Sequence, residues 1–289
     1  MQKIVLVLLA GFMLPLFSGA QTAADVKPAA ANAGIQVKAG QKFRVKSTIK
    51  LTSAAETMGQ TMETNADSKN VVVYEVINAG NAEIEMQKTM TKLSVNTSMM
   101  GQEMNYDSDK DDNPDMMKEM FQNIINKAEG ITIDYKGTII KQDESASSSN
   151  PVMAMSGVST NASATELFIP ELAGKELKVG DSISSVSVTK VDKYSSKDSG
   201  TYKVHLVDNG IASVSYSGTQ QVTTVMEQMG MEMNSASSNV VKAELQLDTK
   251  TGLVLAKATV IDTNTTIEVM GMQIPSTGKV ISTITVETE

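Results

Sequence analysis

The stretch KFRVKSTIKL, residues 42–51, decides the fold. Phe43, Val45, Ile49 and Leu51 fall on one side of a two-residue period, with Ser47 among them; Lys42, Arg44, Lys46, Thr48 and Lys50 fall on the other. Side chains alternate across an extended chain, so this is a strand with one buried and one wet face. The same alternation recurs in Tyr74/Val76, Ala82/Ile84/Met86, Tyr202/Val204/Leu206, Ala212/Val214/Tyr216, Val241/Ala243/Leu245/Leu247 and Val280/Ile284/Val286. The expected fold class is mainly β, built from long antiparallel strands. A run such as 82–99 outlasts the usual ~5–6 residues of a strand, so it must coil or bulge into a curved sheet.

One helix interrupts the pattern. In NPDMMKEMFQNIINKAEG, Asn113 reads as N-cap, Pro114 as the first helical residue and Gly130 as the stop, predicting a helix over about 113–129. Met116, Met117, Met120, Phe121, Ile124 and Ile125 form its apolar stripe, suited to covering the concave side of a sheet.

Lys3, the apolar run Ile4 to Leu14 and the small residues Ser18 and Ala20 read as a signal peptide over 1–20, cleaved near Ala20. Export follows, to the periplasm or beyond. Residues 21–38 read as a flexible lead-in and the Ser/Ala-rich 141–166 as a linker. The linker separates a β-rich half with the helix, 39–140, from a second β-rich half, 167–289. The halves are related. YEVINAGNAEIEM, MGQEMN and ITIDYKGTII in the first answer YKVHLVDNGIASVSY, MGMEMN and LQLDTKTGLVL in the second. Tyr74 and Tyr202, Gly80 and Gly210, Met100 and Met229 are offset by 128, 130 and 129 residues, which marks one duplication with the helix inserted in the first copy.

Composition narrows the function. There is no cysteine, which removes disulfides, thiolate metal sites, cysteine nucleophiles and a lipid-bearing cysteine together. A net charge of −8 argues against nucleic-acid partners. No segment beyond the signal is apolar enough for a transmembrane helix. The single histidine, His205, is expected to point outward with Lys203, leaving no nucleophile–base pair to assemble. No nucleophile elbow, phosphate loop or zinc spacing appears. A non-enzymatic protein without cofactor or resident metal is the expectation.

The order of signal peptide, strand after AGQKF, NAGNAEIEM hairpin, helix, DYKGTII, FIPELAGKELKVGDS and second β half resembles a family of uncharacterised exported proteins of Gram-negative bacteria, of unknown function. Its clearest markers are Phe168-Ile169-Pro170 and Val179-Gly180-Asp181. The resemblance brings over no catalytic residue. It implies curved antiparallel sheet, similar at fold level to the incomplete-barrel carriers of lipoproteins.

Two motifs invite chemistry. Met-Gly phrases start at Met58, Met100, Met229 and Met270. Each sits where one β run gives way to the next, and glycine supplies the positive φ of a tight hairpin. If the tips gather, Met58, Met100, Met104, Met229, Met231, Met233, Met270 and Met272 form a soft apolar rim for a variable ligand. The alternatives are core filling and a Cu(I) site, since thioethers select soft metals. The second motif, DSDKDDNPD, puts Asp107, Asp109 and Asp111 at the first positions of a calcium loop. Asp112 replaces its glycine and Lys118 its closing glutamate, so a solvated acidic turn is the plainer reading. The expected partner is an unidentified apolar or amphipathic ligand in a concave β surface. The alternative is a structural or interaction module that meets another envelope component.

Overall fold

The structure, a computed structural model, describes residues 31–32, 35–57, 59–80, 83–99, 101–122, 124–143, 166–191, 193–228 and 231–289. The signal segment 1–20 and most of the linker therefore lie outside the described residues. The elements are β1 (Ala31–Asn32), β2 (Lys42–Thr57), β3 (Gln60–Ala79), β4 (Glu83–Met99), β5 (Gln102–Asp107), α1 (Asp115–Phe121), β6 (Ala128–Asp134), β7 (Ile139–Gln142), β8 (Glu176–Leu177), β9 (Ser182–Val191), β10 (Tyr194–Asp208), β11 (Ile211–Gln228), β12 (Met231–Asp248), β13 (Val254–Val269) and β14 (Met272–Thr288).

The fold is mainly β. One antiparallel sheet runs in the order β7-β6-β4-β3-β2-β14-β13-β12-β11-β10-β9, with β5 also on β4. The path does not close among the described strands. The two β-rich halves lie side by side in this sheet, joined at its centre where β2 pairs β14 from Phe43↔Thr288 to Ala55↔Ser276. Each half is a meander. β12 lies along β11 from end to end, whereas β4 is covered in two pieces, its far part by β5 and its near part by β6. The segment between β5 and β6 carries α1.

KFRVKSTIKL behaves as its alternation requires. Phe43, Val45 and Leu51 are buried, while Lys42, Arg44 and Lys46 face out and pair with Glu75, Glu289 and Glu287. Each such exposed pair contributes only about 0–1 kcal/mol, so the inward face decides the strand. Most of the core lies at one end of the sheet in two clusters, and a third forms where α1 packs on β4 and β5. The first gathers Phe43, Val45, Tyr74, Val76, Ile84, Met86, Ile131 and Ile133; the second gathers Val204, Ala212, Val214, Leu245, Leu247 and Val254. Segment 166–177 roofs both, sending Leu167 and Phe168 into the first and Ile169, Leu172 and Leu177 into the second. The Leu167 carbonyl accepts a hydrogen bond from the Val254 amide, anchoring the roof.

Three expectations are corrected. The helix spans only Asp115–Phe121, not 113–129, and Pro114 is its N-cap with no side-chain cap. Asn113 instead closes the preceding turn: its Oδ1 accepts from the Asp107 amide at 2.7 Å and its Nδ2 donates to the carbonyls of Asp107 and Lys110. Beyond the helix, Ile125 bridges Met90, Asn126 takes φ 56° to donate to the Met90 carbonyl, and Gly130 lies inside β6. The sheet edge thus claims backbone that the sequence pattern assigned to helix. The lead-in is docked at its end: β1 pairs β8, and Ile35 and Val37 pack against the first cluster. Finally, β10 shifts register between Val204 and Leu206, so Leu206 is exposed and Val207 packs inward. A bulge places an extra residue in one strand and swaps the faces beyond it.

Candidate functional site

The four Met-Gly turns share one end of the sheet, opposite the roofed core. They join β2–β3, β4–β5, β11–β12 and β13–β14, and in an up-and-down meander alternate turns return to the same end. The last paired residues before them are Thr57↔Gln60, Met99↔Gln102, Gln228↔Met231 and Val269↔Met272. Gly59 and Gly101 have φ 78°, with nothing near a would-be Cβ, so turn geometry and not crowding demands glycine there. Across that end of the sheet the strand pairs follow the order β5–β4, β3–β2, β14–β13, β12–β11, and their ends are staggered, since Thr64 rather than Gln60 pairs with Met99.

Met58, Met100 and Met229 lie outside the described residues. Met270 and Met272 are exposed, and Met104 and Met233 are half-buried on the concave face. Met231 begins β12 opposite Gln228. The acidic turn is also placed. Asp109 pairs with Lys92 at 2.5 Å; Asp107 accepts from the Asp109 amide and stands 3.7 Å from Lys110. Its carboxylates serve lysines and the turn, and no cluster of three or more metal-ligand side chains occurs among the described residues. His205 is exposed, its Nε2 2.6 Å from Ser215 Oγ.

Between the roof and the rim the concave face carries polar residues that alternation places inward. Four strands contribute a ladder. Asn239 Nδ2 donates to Gln220 Oε1 at 3.0 Å, Gln220 Nε2 donates to Asp198 Oδ1 at 2.6 Å, and Ser196 and Ser187 hydroxyls donate to Asp198 Oδ2. Asn239 Oδ1 is buried and has no hydrogen-bond partner among the described residues. Immediately toward the rim, a shallow open groove of about 530 Å³ crosses β11–β14 past Val222, Ser237, Thr265 and Ser276. The Ser237 and Thr265 hydroxyls meet at 2.8 Å in its wall. Farther out, register aligns Ile267 with Ile274 and then Val269 with Met233 and Met272.

On the roof side of the ladder, Tyr216 lies across Gly200 and Gly218, whose added Cβ atoms would fall 2.5 and 2.4 Å from its ring or hydroxyl. Its ring is 4.7 Å from that of Tyr202. Burial raises the pKa of both tyrosines; Glu171 adds to it most for Tyr202, and Asp198 for Tyr216. Glu171 accepts from Ser185 Oγ at 2.7 Å, and Glu166 accepts from the Tyr74 hydroxyl. Tyr74 is held well above its ordinary pKa by burial first and by Glu166 second. Lys257 reaches this layer from β13. Desolvation lowers its pKa, while Glu166 and Glu171 pull the other way. The arrangement balances charge beneath the roof and presents hydrogen-bonding groups above it. Asp198, Gln220, Asn239 and Lys257 were missed as site residues in the sequence. Their signal was present, as polar residues on the inward phase of otherwise apolar strands.

Residues 80–167 match the family described as "Family of unknown function (DUF6263)", which covers β4, β5, α1, β6, β7 and the start of the roof. The Phe168-Ile169-Pro170 marker begins at the next residue. No curated protein matches the chain. Among solved structures, similarity is found to an outer membrane channel from Pseudomonas putida F1 (7% identity, 88% of this chain and 97% of that one, TM-score 0.21). It is also found to OmpF of Salmonella typhi in complex with daunomycin (8%, 86% and 99%, TM-score 0.27). A third is the translocator domain of the autotransporter NalP from Neisseria meningitidis (8%, 86% and 89%, TM-score 0.23). At such TM-scores the likeness is one of long antiparallel strands and nothing more. No helix among the described residues is long and apolar enough to cross a membrane, which says nothing about strands.

Proposed function

We propose that this is an exported, non-catalytic protein of the cell envelope that holds an amphipathic molecule on its concave face. The observation that carries the reading is the groove across β11–β14. Its floor side is the Asp198–Gln220–Asn239 ladder and its outer side leads to Ile267, Ile274, Met233 and Met272. Hydrogen-bonding groups on one flank and flexible apolar side chains on the other match a molecule with a polar head and an apolar body. Export rests on Lys3, the apolar run from Ile4 and the small residues Ser18 and Ala20. The test is native mass spectrometry of residues 21–289 purified without detergent, with titration of a dansyl-labelled fatty acid. Copurifying mass or saturable uptake, weakened by Ile267→Lys with Met233→Lys, supports the reading. A bare protein mass with no uptake refutes it.

The second reading, a structural module that meets an envelope component, is favoured by the packing of α1. Met117, Phe121 and Ile124 fill against Leu93, Val95 and Tyr106, so that part of the concave face is occupied by the chain itself. A protein partner retained from envelope extract, with no small molecule bound, selects this reading.

A further inference from the structure

β9 ends the sheet, and among the described strands only β10 pairs with it, without a register shift from Ser182↔Lys203 to Val191↔Tyr194. Natural proteins blunt such edges with proline, bulges, charge or a covering segment. β9, SISSVSVTKV, has no proline and no glycine, and its one charge is Lys190 near the end. Its convex side displays Val186 and Val188, exposed by 69% and 67%. Alternate residues turn their N–H and C=O away from β10, to a side that no described strand covers, where another extended backbone in register matches the ladder.

We propose that β9 pairs antiparallel with β9 of a second copy, about a two-fold axis at Ser187. In this register Val186 lies opposite the partner's Val188, and the reverse. Opposed residues share a face, so four valines make one stripe across the axis. Lys190 stands opposite the partner's Ser184, so no like charges face each other. β9 carries no acid, although the chain has a net charge of −8. The other end of the sheet argues for the same occupant. β7 has four residues against the ten of β9, so head-to-tail pairing leaves more than half of β9 uncovered. Pairing β9 with itself covers the edge and closes the assembly at two copies.

The chain has no cysteine, so Ser187→Cys introduces a single thiol. Opposed Cα atoms in an antiparallel pair are ~4.5–5.5 Å apart, inside the ~4.4–6.8 Å that a disulfide spans. The protein from residue 21 is expected to sediment as a dimer. Ser187→Cys is expected to oxidise to a covalent dimer at least tenfold faster than the control Lys242→Cys, which lies on the exposed side of β12. Val186→Lys with Val188→Lys, at exposed positions that leave circular dichroism unchanged, is expected to give monomer. A monomer at every concentration overturns the proposal. So does a dimer that survives the lysine pair, equal oxidation of the two thiols, or species larger than a dimer.

Discussion

Replacing Phe168 by alanine tests whether the roof ties the two halves into one cooperative unit. Phe168 is 1% exposed and packs in the cluster of Phe43, Tyr74, Val76 and Leu253, whereas its neighbours Ile169 and Leu172 pack in the other. Removing a buried phenyl ring costs about 3–5 kcal/mol when the surroundings cannot collapse. Gly137 lies against the base of this side chain, where an added Cβ would fall 2.6 Å from Phe168 Cβ, an atom that alanine keeps, so the cavity opens only beyond it. Against a total of ~5–15 kcal/mol for a typical protein, this loss is large. At ~1.4 kcal/mol per decade it raises the exchange of globally protected amides by about 10²- to 10⁴-fold. Hydrogen–deuterium exchange with peptide resolution reads the effect separately in β2–β3 and in β12–β13. The roof and the continuous β2–β14 pairing require the same factor in both places. If β2–β3 lose protection while β12–β13 keep wild-type exchange, the halves unfold independently and the coupling is wrong.

Three further outcomes are expected. Met270 and Gly271 take φ 53° and 80°, the two positive values of a type I′ turn, so Met270→Asn should stabilise by about 0.5–1 kcal/mol, read as a higher urea midpoint at unchanged slope. Asn113→Ala removes three hydrogen bonds that close the turn before α1 and should cost about 1–3 kcal/mol, with exchange in 115–121 rising more than exchange in β2. Lys257 has its folded pKa below the unfolded value, so the penalty for burying its charge is present in full at low pH and is relieved as pH rises through the folded pKa. The stability advantage of Lys257→Met over wild type should therefore shrink from neutral pH toward pH ~10, and a difference that ignores pH contradicts the assignment.

Strand identity was legible because burial on one face writes a two-residue period, as in KFRVKSTIKL. Pairing was not. Nothing local in Phe43–Ala55 says that its second neighbour is Ser276–Thr288, and that contact turns two meanders into one sheet. The helix was overread because Asn113, Pro114 and Gly130 carry cap chemistry. Asn113 spent its side chain on a turn instead, and Met90 took the Asn126 amide for the sheet. Leu206 was misplaced for a related reason, since a one-residue bulge leaves no mark in the alternation that precedes it. The Met-Gly phrases were readable as turns from glycine alone. That their flanking strand pairs close at the same end of the sheet followed only from strand order.

The ladder gives the distal half of the sheet a physical logic that its composition conceals. A strand that slips by one residue turns every side chain to the opposite face, and only a marked difference between faces forbids it. Near the roof that difference is apolar burial. Toward the rim both faces are rich in Ser, Thr, Asn and Gln, so apolar burial discriminates weakly. The Asn239–Gln220–Asp198–Ser187 sequence of hydrogen bonds crosses β12, β11, β10 and β9 and is satisfied only when those strands hold their present register. A register pin of this kind lets the rim beyond it vary in side chain without loss of alignment. It also leaves one buried acceptor beside the groove, Asn239 Oδ1, without a partner among the described residues, and an unmet buried acceptor of this kind is costly until a donor reaches it.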